Sequence, residues 1–271
     1  METSRCSDEH PPGEPPRFPP ARRLTMPAAL TLRLVPDRPA RPDTRQLHGL
    51  ACALFENSTD HRAQRKPFTV WPVAPDPVDP DTGLLLRASW LAEEPLPFDP
   101  DRLTEVRFGS RRCPVAAADV VRTSRARLAT TAPASTAELT FRSPAYFAAN
   151  GRRTVTPDLR LVLGGYRRRW NEHLPTGSPL HLDDELGREL HRAVELTGYD
   201  LRTVRRDGGH GHPVTGFTGH MALALTPDAP TELRAAFTAL LSFAPYSGTG
   251  ARTTHGFGAT TATLHRPASP A

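Results

Sequence analysis

The chain has 271 residues, 34 of them basic and 29 acidic, for a formal net charge of +5 at pH 7. That length accommodates two domains of about 100–130 residues, and the small positive excess is compatible with a polyanionic partner without requiring one. Three cysteines (Cys6, Cys52 and Cys113) with no paired spacing exclude a disulfide framework and a zinc knuckle, and no apolar run approaches the roughly 18 residues of a membrane span.

The opening stretch METSRCSDEHPPGEPPRFPPARR has acidic residues and many prolines but lacks the apolar region of a signal peptide. Residues 1–26 are expected to be a disordered proline-rich arm of a reduced, cytoplasmic protein. AALTLRLVP (28–36) alternates Leu30, Leu32 and Leu34 on one face, as a half-buried strand does. In TRQLHGLACALFEN (44–57), Leu47, Leu50, Ala51, Leu54 and Phe55 recur at helical spacing, although Gly49 costs that helix about 1 kcal/mol against alanine. PFTVWPV and GLLLRASWLA read as short strands around a proline-rich turn, DPDRLTEVRFG as a short helix, and RCPVAAADVVRTSRARLA as one or two strands.

Composition shifts over 124–135 and the order of elements then restarts. AELTFRSP reads as a strand, TPDLRLVLGGYRRRWNEHL as an amphipathic helix interrupted at Gly164-Gly165, and DDELGRELHRAVELTG as a second helical stretch. YDLRTVRRDGGHGHPVTGFTGHMALAL gives two strands with a glycine-rich tip, TELRAAFTALLSFAP a helix, and GFGATTATL a closing strand. Each half therefore reads as a β-α-β-β-α-β unit. The expected fold is α+β, with two tandem ferredoxin-like domains over residues 27–130 and 131–266. No internal sequence repeat accompanies the repeated order.

GTGARTTHGFG (248–258) has the skeleton G-x-G, five residues, G-x-G, with Arg252 inside. Four glycines permit positive φ and close backbone approach, so that amides could face a phosphodiester while Arg252 supplies charge. The plain alternative is a loop of two glycine turns with no ligand. GYRRRWNEH (165–173) sets Arg167 and Arg168 beside Tyr166 and Trp170, either a basic helix with aromatics for stacking on RNA or a solvated helix face. Arg205 and Arg206 lead into the hairpin tip. His210 and His212 on that tip have no cysteine or carboxylate cluster beside them, so no metal is assigned. Asp183, Asp184 and Glu185 read as acids at a helix N-terminus.

The C-terminal stretch FTGHMAL…AFTALLSFAPYSGTGARTTHGFGAT resembles the signature of the RAMP superfamily. Together with LRLVP, LHGLACALF, DH…KPFTV and FRSPAYF, the chain resembles the CRISPR-associated endoribonucleases of Cas family six over nearly everything from Met26 to Leu264. The resemblance implies cleavage of precursor CRISPR RNA within its repeats without a cofactor or metal. The ribose 2′-OH attacks the adjacent phosphorus, leaving a 5′-OH and a 2′,3′-cyclic phosphate. It implies CRISPR repeat RNA as partner, with other Cas effector-complex subunits and a second copy of the chain as further partners, and no membrane. Gly248, Gly250, Arg252, Thr253, His255, Gly256 and Gly258 would then contact RNA, with Arg167, Arg168, Arg205 and Arg206.

That chemistry needs a base, an acid and a cation. Lys66 is the single lysine among 34 basic residues. A compact ammonium approaches one phosphoryl oxygen where a guanidinium presents a broad fork, so Lys66 and the nearby His61 are the expected catalytic pair. Some members have a tyrosine on the first helix; counting from LHGLAC, that position is Cys52 here. His48 lies four residues earlier on the same face and is the substitute candidate, while Cys52 reads as a packed small side chain. The alternative function is a non-catalytic RAMP subunit that binds RNA as a scaffold.

Overall fold

The computed structural model describes residues 27–38, 40–56, 65–149, 151–209 and 211–266. The expected arm, 1–26, lies outside them, as do His61 and His210. No helix among the described residues is long and apolar enough to cross a membrane.

The first half runs β1 (Ala28–Leu34), α1 (Thr44–Phe55), β2 (Phe68–Val70), β3 (Ala74–Pro75), β4 (Leu84–Trp90), a 3₁₀ turn (Pro100–Arg102), β5 (Glu105–Phe108), β6 (Arg111–Arg122) and α2 (Arg125–Ala129). Its sheet has the order β2-β4-β1-β6-β5, with β3 paired to β4, and its pairs are antiparallel. The alternating Ala28, Leu30, Leu32 and Leu34 of β1 are buried against Leu47, Leu50, Ala51 and Phe55 of α1. Phe55 stacks on Phe68 (5.3 Å between centroids) and Trp90 (5.6 Å), locking the end of α1 to β2 and β4. α1 starts where it does because Asp43 and Gln46 form a reciprocal capping box.

The second half runs β7 (Thr136–Ala145), β8 (Phe147–Ala149), β9 (Arg152–Thr154), α3 (Leu159–Glu172), α4 (Asp184–Ala193), β10 (Val194–Asp207), β11 (Pro213–Leu225), α5 (Thr231–Ser247), a 3₁₀ turn (Thr253–His255) and β12 (Thr260–His265). The sheet order is β10-β11-β7-β12, again antiparallel. With the short β3, the edge strand β5 and the separate β8–β9 pair set aside, and the remaining strands numbered within each half, both sheets carry the order 2-3-1-4 of a ferredoxin-like unit, so the fold is two such units in tandem.

Several expectations change. DPDRLTEVRFG is no helix: Asp99 caps a single turn, after which Val106 and Phe108 alternate inward as strand β5. RCPVAAADVVR is one strand with a register shift where Val115 pairs Leu34, and the SRARLA that follows is the short helix α2. The Gly164-Gly165 pair does not interrupt α3, because Val162, Leu163, Tyr166 and Trp170 bury its inner face and override the propensity cost. α4 stops at Ala193, and the VELTG read as helical is the start of β10.

Arg125 joins the halves. It is 1% exposed, donates from Nη2 to the Leu91 carbonyl (2.8 Å) and from Nε to the Trp170 carbonyl (3.1 Å), and pairs with Glu93.

Candidate functional site

The glycine-rich loop leaves α5 at Gly248, and its shape is set from inside the protein. Gly248, Gly250, Gly256 and Gly258 all take positive φ. A Cβ at Gly250 would run into the Tyr146 carbonyl, and one at Gly258 into the Thr249 carbonyl. Backbone bonds spend the amides: Thr249 N donates to Gly258 O (2.8 Å), Ala251 N to Tyr146 O (2.8 Å) and Gly258 N to Pro144 O (3.0 Å). Arg169 reaches under the loop to the carbonyls of Ser247, Gly248 (2.9 Å) and Gly250 (2.6 Å). Burial, with Arg168 nearby, pulls the Arg169 guanidinium down to about 10. The hydroxyls of Tyr166, Thr249 and Thr260 form a buried chain (2.6 and 2.7 Å) beneath it.

These contacts correct the physical reason given to several predicted residues. Gly248, Thr253, Gly256 and Gly258 are buried; they hold the loop's shape rather than offer surface. Tyr166 and Trp170, weighed as stacking aromatics against a solvated helix face, are core residues, 1% exposed each. Gly250 and His255 are half-buried and Arg252 is exposed. Arg252 sits in the left-handed region at φ 55 and donates to the Gly208 carbonyl (2.6 Å), tying the loop to the β10–β11 tip. Arg206 donates to Gly256 O (3.0 Å) and lies over the Phe257 ring. Arg205 and Arg168 face solvent. Arg167 bonds the Leu182 carbonyl (3.0 Å) and Asp184. It lines, with Arg65, Arg168 and Gly250, a cleft of about 1080 Å³ between α3, α4 and the loop.

The loop's 3₁₀ turn docks on α1. His48 and His255 stack with ring centroids 3.8 Å apart and planes 8° from parallel. His48 Nδ1 lies 3.0 Å from the Thr254 carbonyl. A carbonyl only accepts, so Nδ1 carries the proton and Nε2 the lone pair. Nε2 faces the Cys52 thiol at 3.5 Å, as expected for two residues on one helical face. Burial lowers the His48 pKa, opposed by the Thr254 carbonyl and the Glu56 charge, with Lys66 adding to the lowering. His48 is therefore a neutral imidazole at pH 7, suited to accept a proton. Burial, His48 and Arg252 bring His255 down to about 4. Cys52 is pushed up to about 12 by burial and then by the charge and hydrogen bond of Glu56, so it is an inert thiol.

One turn further along the same face, at the C-cap of α1, Glu56 pairs with Lys66 (Nζ–Oε1 2.6 Å). The two side chains are 2% and 12% exposed. The structure thus assembles His48, Cys52, Glu56, Lys66 and His255 at one junction between the halves. Glu56 and the His48–His255 stack were missed in the sequence. The i, i+4, i+8 spacing of His48, Cys52 and Glu56 was the available signal for Glu56; nothing local announces His255 as the partner of a helix 200 residues away. Among the described residues no group of three or more His, Cys, Asp or Glu side chains is placed to hold a metal ion. His212 shows no such cluster, and its neighbour His210 lies outside the described residues.

Residues 139–260 match the family model of the CRISPR-associated endoribonuclease Cas6. A search of curated protein sequences returned no significant match. Among solved structures, the chain is similar to a Thermus thermophilus Cas6 in a product complex, at 28% identity and a TM-score of 0.71 over 88% of this chain and 100% of that one. A second Thermus Cas6, in a product complex, matches at 25% identity and a TM-score of 0.69, covering 87% and 99%. The same protein in a substrate-mimic complex matches at 26% and 0.68 over 87% and 99%.

Proposed function

We propose that the chain is a member of the Cas6 family of CRISPR-associated endoribonucleases, whose family model matches residues 139–260 and whose solved structures it resembles along most of its length, and that it cuts precursor CRISPR RNA within its repeats by transesterification, at the junction of α1 and the glycine-rich loop. The observation that carries the placement is the line of His48, Cys52, Glu56 and Lys66 against His255. A neutral His48, its tautomer fixed by the Thr254 carbonyl, has a lone pair for the proton of the 2′-OH. The freed 2′-oxygen attacks phosphorus, the bond to the 5′-oxygen breaks, and a second acid protonates the leaving oxygen. His61, five residues past Glu56 in sequence, is the candidate for that acid. Lys66 supplies positive charge to the phosphoryl oxygens. A histidine–lysine site furnishes acid, base and cation from protein groups, consistent with cleavage that needs no divalent ion.

In this reading residues 27–130 form the domain that bears the chemistry and 131–266 the domain that holds RNA. Of the arginines expected to contact RNA, Arg252, Arg168 and Arg205 are exposed and available to phosphates, and Gly250 and His255 are half-buried loop residues that keep some access.

Incubation of the protein with its host's repeat RNA in EDTA, followed by end-group analysis, tests the mechanism. Cleavage with a 5′-OH and a cyclic phosphate is expected, and a 2′-deoxy nucleotide just upstream of the cut should abolish it while leaving binding intact. Cleavage of the deoxy substrate overturns transesterification. Binding without cleavage of the all-ribose repeat favours a scaffold role.

A further inference from the structure

The Glu56–Lys66 pair asks why a carboxylate stands buried in a site that must receive a polyanion. A buried ion pair is poor evidence for stability, since desolvating two charges offsets much of their attraction, and apolar replacements of similar volume are often neutral or stabilising. Packing gives no reason to keep it: the end of α1 is already held by Phe55 on Phe68 and Trp90. Glu56 also sits at the C-terminus of α1, where a carboxylate faces the negative end of the helix dipole.

The pair does explain the residue types. An ammonium carries three N–H donors, so a bond to one carboxylate oxygen does not exhaust it. A guanidinium would meet the same carboxylate through its planar fork. The lone lysine of an arginine-rich chain is thus the residue that a carboxylate can hold by one bond while another donor turns to a phosphoryl oxygen. Lys66 lies outward of Glu56, 12% exposed against 2%, so the approaching RNA meets the ammonium before the carboxylate behind it.

We propose that Glu56 is a positioning residue for cleavage: it anchors the Lys66 ammonium beside the His48–Cys52 face of α1 and is itself screened from RNA by that ammonium. This rests on the reading of Lys66 as the cation of the reaction. The Glu56 charge also acts on Cys52, adding to burial in pushing its pKa up, and that thiol faces His48 Nε2, so the same carboxylate influences both ends of the His48–Lys66 face.

The test compares Glu56→Gln, Glu56→Asp, Lys66→Ala and the Glu56→Gln/Lys66→Ala double variant in single-turnover cleavage of repeat RNA. Binding of the 2′-deoxy repeat is measured alongside. Glu56→Gln, which keeps the shape and removes the charge, should slow cleavage by about 10- to 100-fold, less than the roughly 10²–10⁴-fold of a general acid or base because Glu56 acts through Lys66. Its affinity for the deoxy repeat should stay equal or rise, because a negative charge has been removed. Glu56→Asp should recover part of the rate, and the double variant should be no slower than Lys66→Ala alone. A loss of affinity and melting temperature in step with the rate would make Glu56 merely structural and overturn the proposal. So would Glu56→Gln cleaving at the wild-type rate while Lys66→Ala is slow. If Lys66→Ala itself cleaves at the wild-type rate, the reading of Lys66 fails first, and this proposal with it.

Discussion

The two halves share a strand order but differ in what covers the sheet. In the second half, α3, α4 and α5 surround a large apolar core, and α5 buries Leu233, Phe237, Leu240, Leu241 and Phe243. In the first half the second helix of the ferredoxin-like pattern is reduced to the turn Pro100–Arg102 and the edge strand β5. The other half compensates: Thr69 of β2 donates to the Tyr246 carbonyl of α5 (2.7 Å), and a Cβ at Gly256 would stand 3.2 Å from Leu47. The half with the smaller helical cover carries His48, Cys52, Glu56 and Lys66, and the fully covered half supplies a fixed loop and His255. A site at this seam gains chemistry from one side and geometry from the other.

The sharpest way to break that division is to separate rate from binding. His61→Ala should lower the single-turnover rate by about 10²–10⁴-fold with repeat affinity nearly unchanged, and Lys66→Arg should not restore what Lys66→Ala loses. Wild-type cleavage by Lys66→Arg would reduce the lone lysine to an accident of composition. Next in size is the joint. Arg125→Ala strips a buried carboxylate and two carbonyls of their donor and should cost about 3–5 kcal/mol by denaturant unfolding. A loss below about 1 kcal/mol would show that the halves do not depend on it.

On the loop side, Gly250→Val should damage the fold and RNA binding together, because the collision is with backbone; measured affinity and melting temperature should fall in parallel. Arg252→Ala should have the smaller effect of weakening binding several-fold and reducing the salt slope by about 0.7, one single-strand phosphate contact. An unchanged slope would leave Arg252 as a tie between the loop and the hairpin tip alone.

The smallest expected effect concerns pH. His255 titrates near 4 in the folded protein against 6.5 for the ordinary group, so the unfolded chain binds more protons between those values. Its contribution is fully present above about pH 6.5 and is lost as pH falls toward about 4. His173, also brought to about 4 by burial and then Arg125 and Arg169, acts in the same direction. Melting temperature should fall across that window, and His255→Asn should flatten the fall. An identical profile in the variant would detach the His48–His255 stack from stability.

Alternation in β1, helical spacing in α1, the turn residues before each element and the doubled glycine skeleton were local patterns, each set by near neighbours along the chain, and so they were legible in the amino-acid sequence. So were Lys66 as an outlier of composition and the shared face of His48 and Cys52. Whether Trp170 and Tyr166 face RNA or the core, whether the glycines serve a ligand or the Tyr146 and Thr249 carbonyls, and which face of the GYRRRW helix turns inward were decided only by packing. Arg168 and Arg169 are adjacent in sequence, yet one faces solvent and the other binds three carbonyls, because a helix turns about 100° per residue and only the tertiary contacts say which side is covered. The seam itself, with His255 on His48, arises from a contact between segments about 200 residues apart, and no local pattern of residues records it.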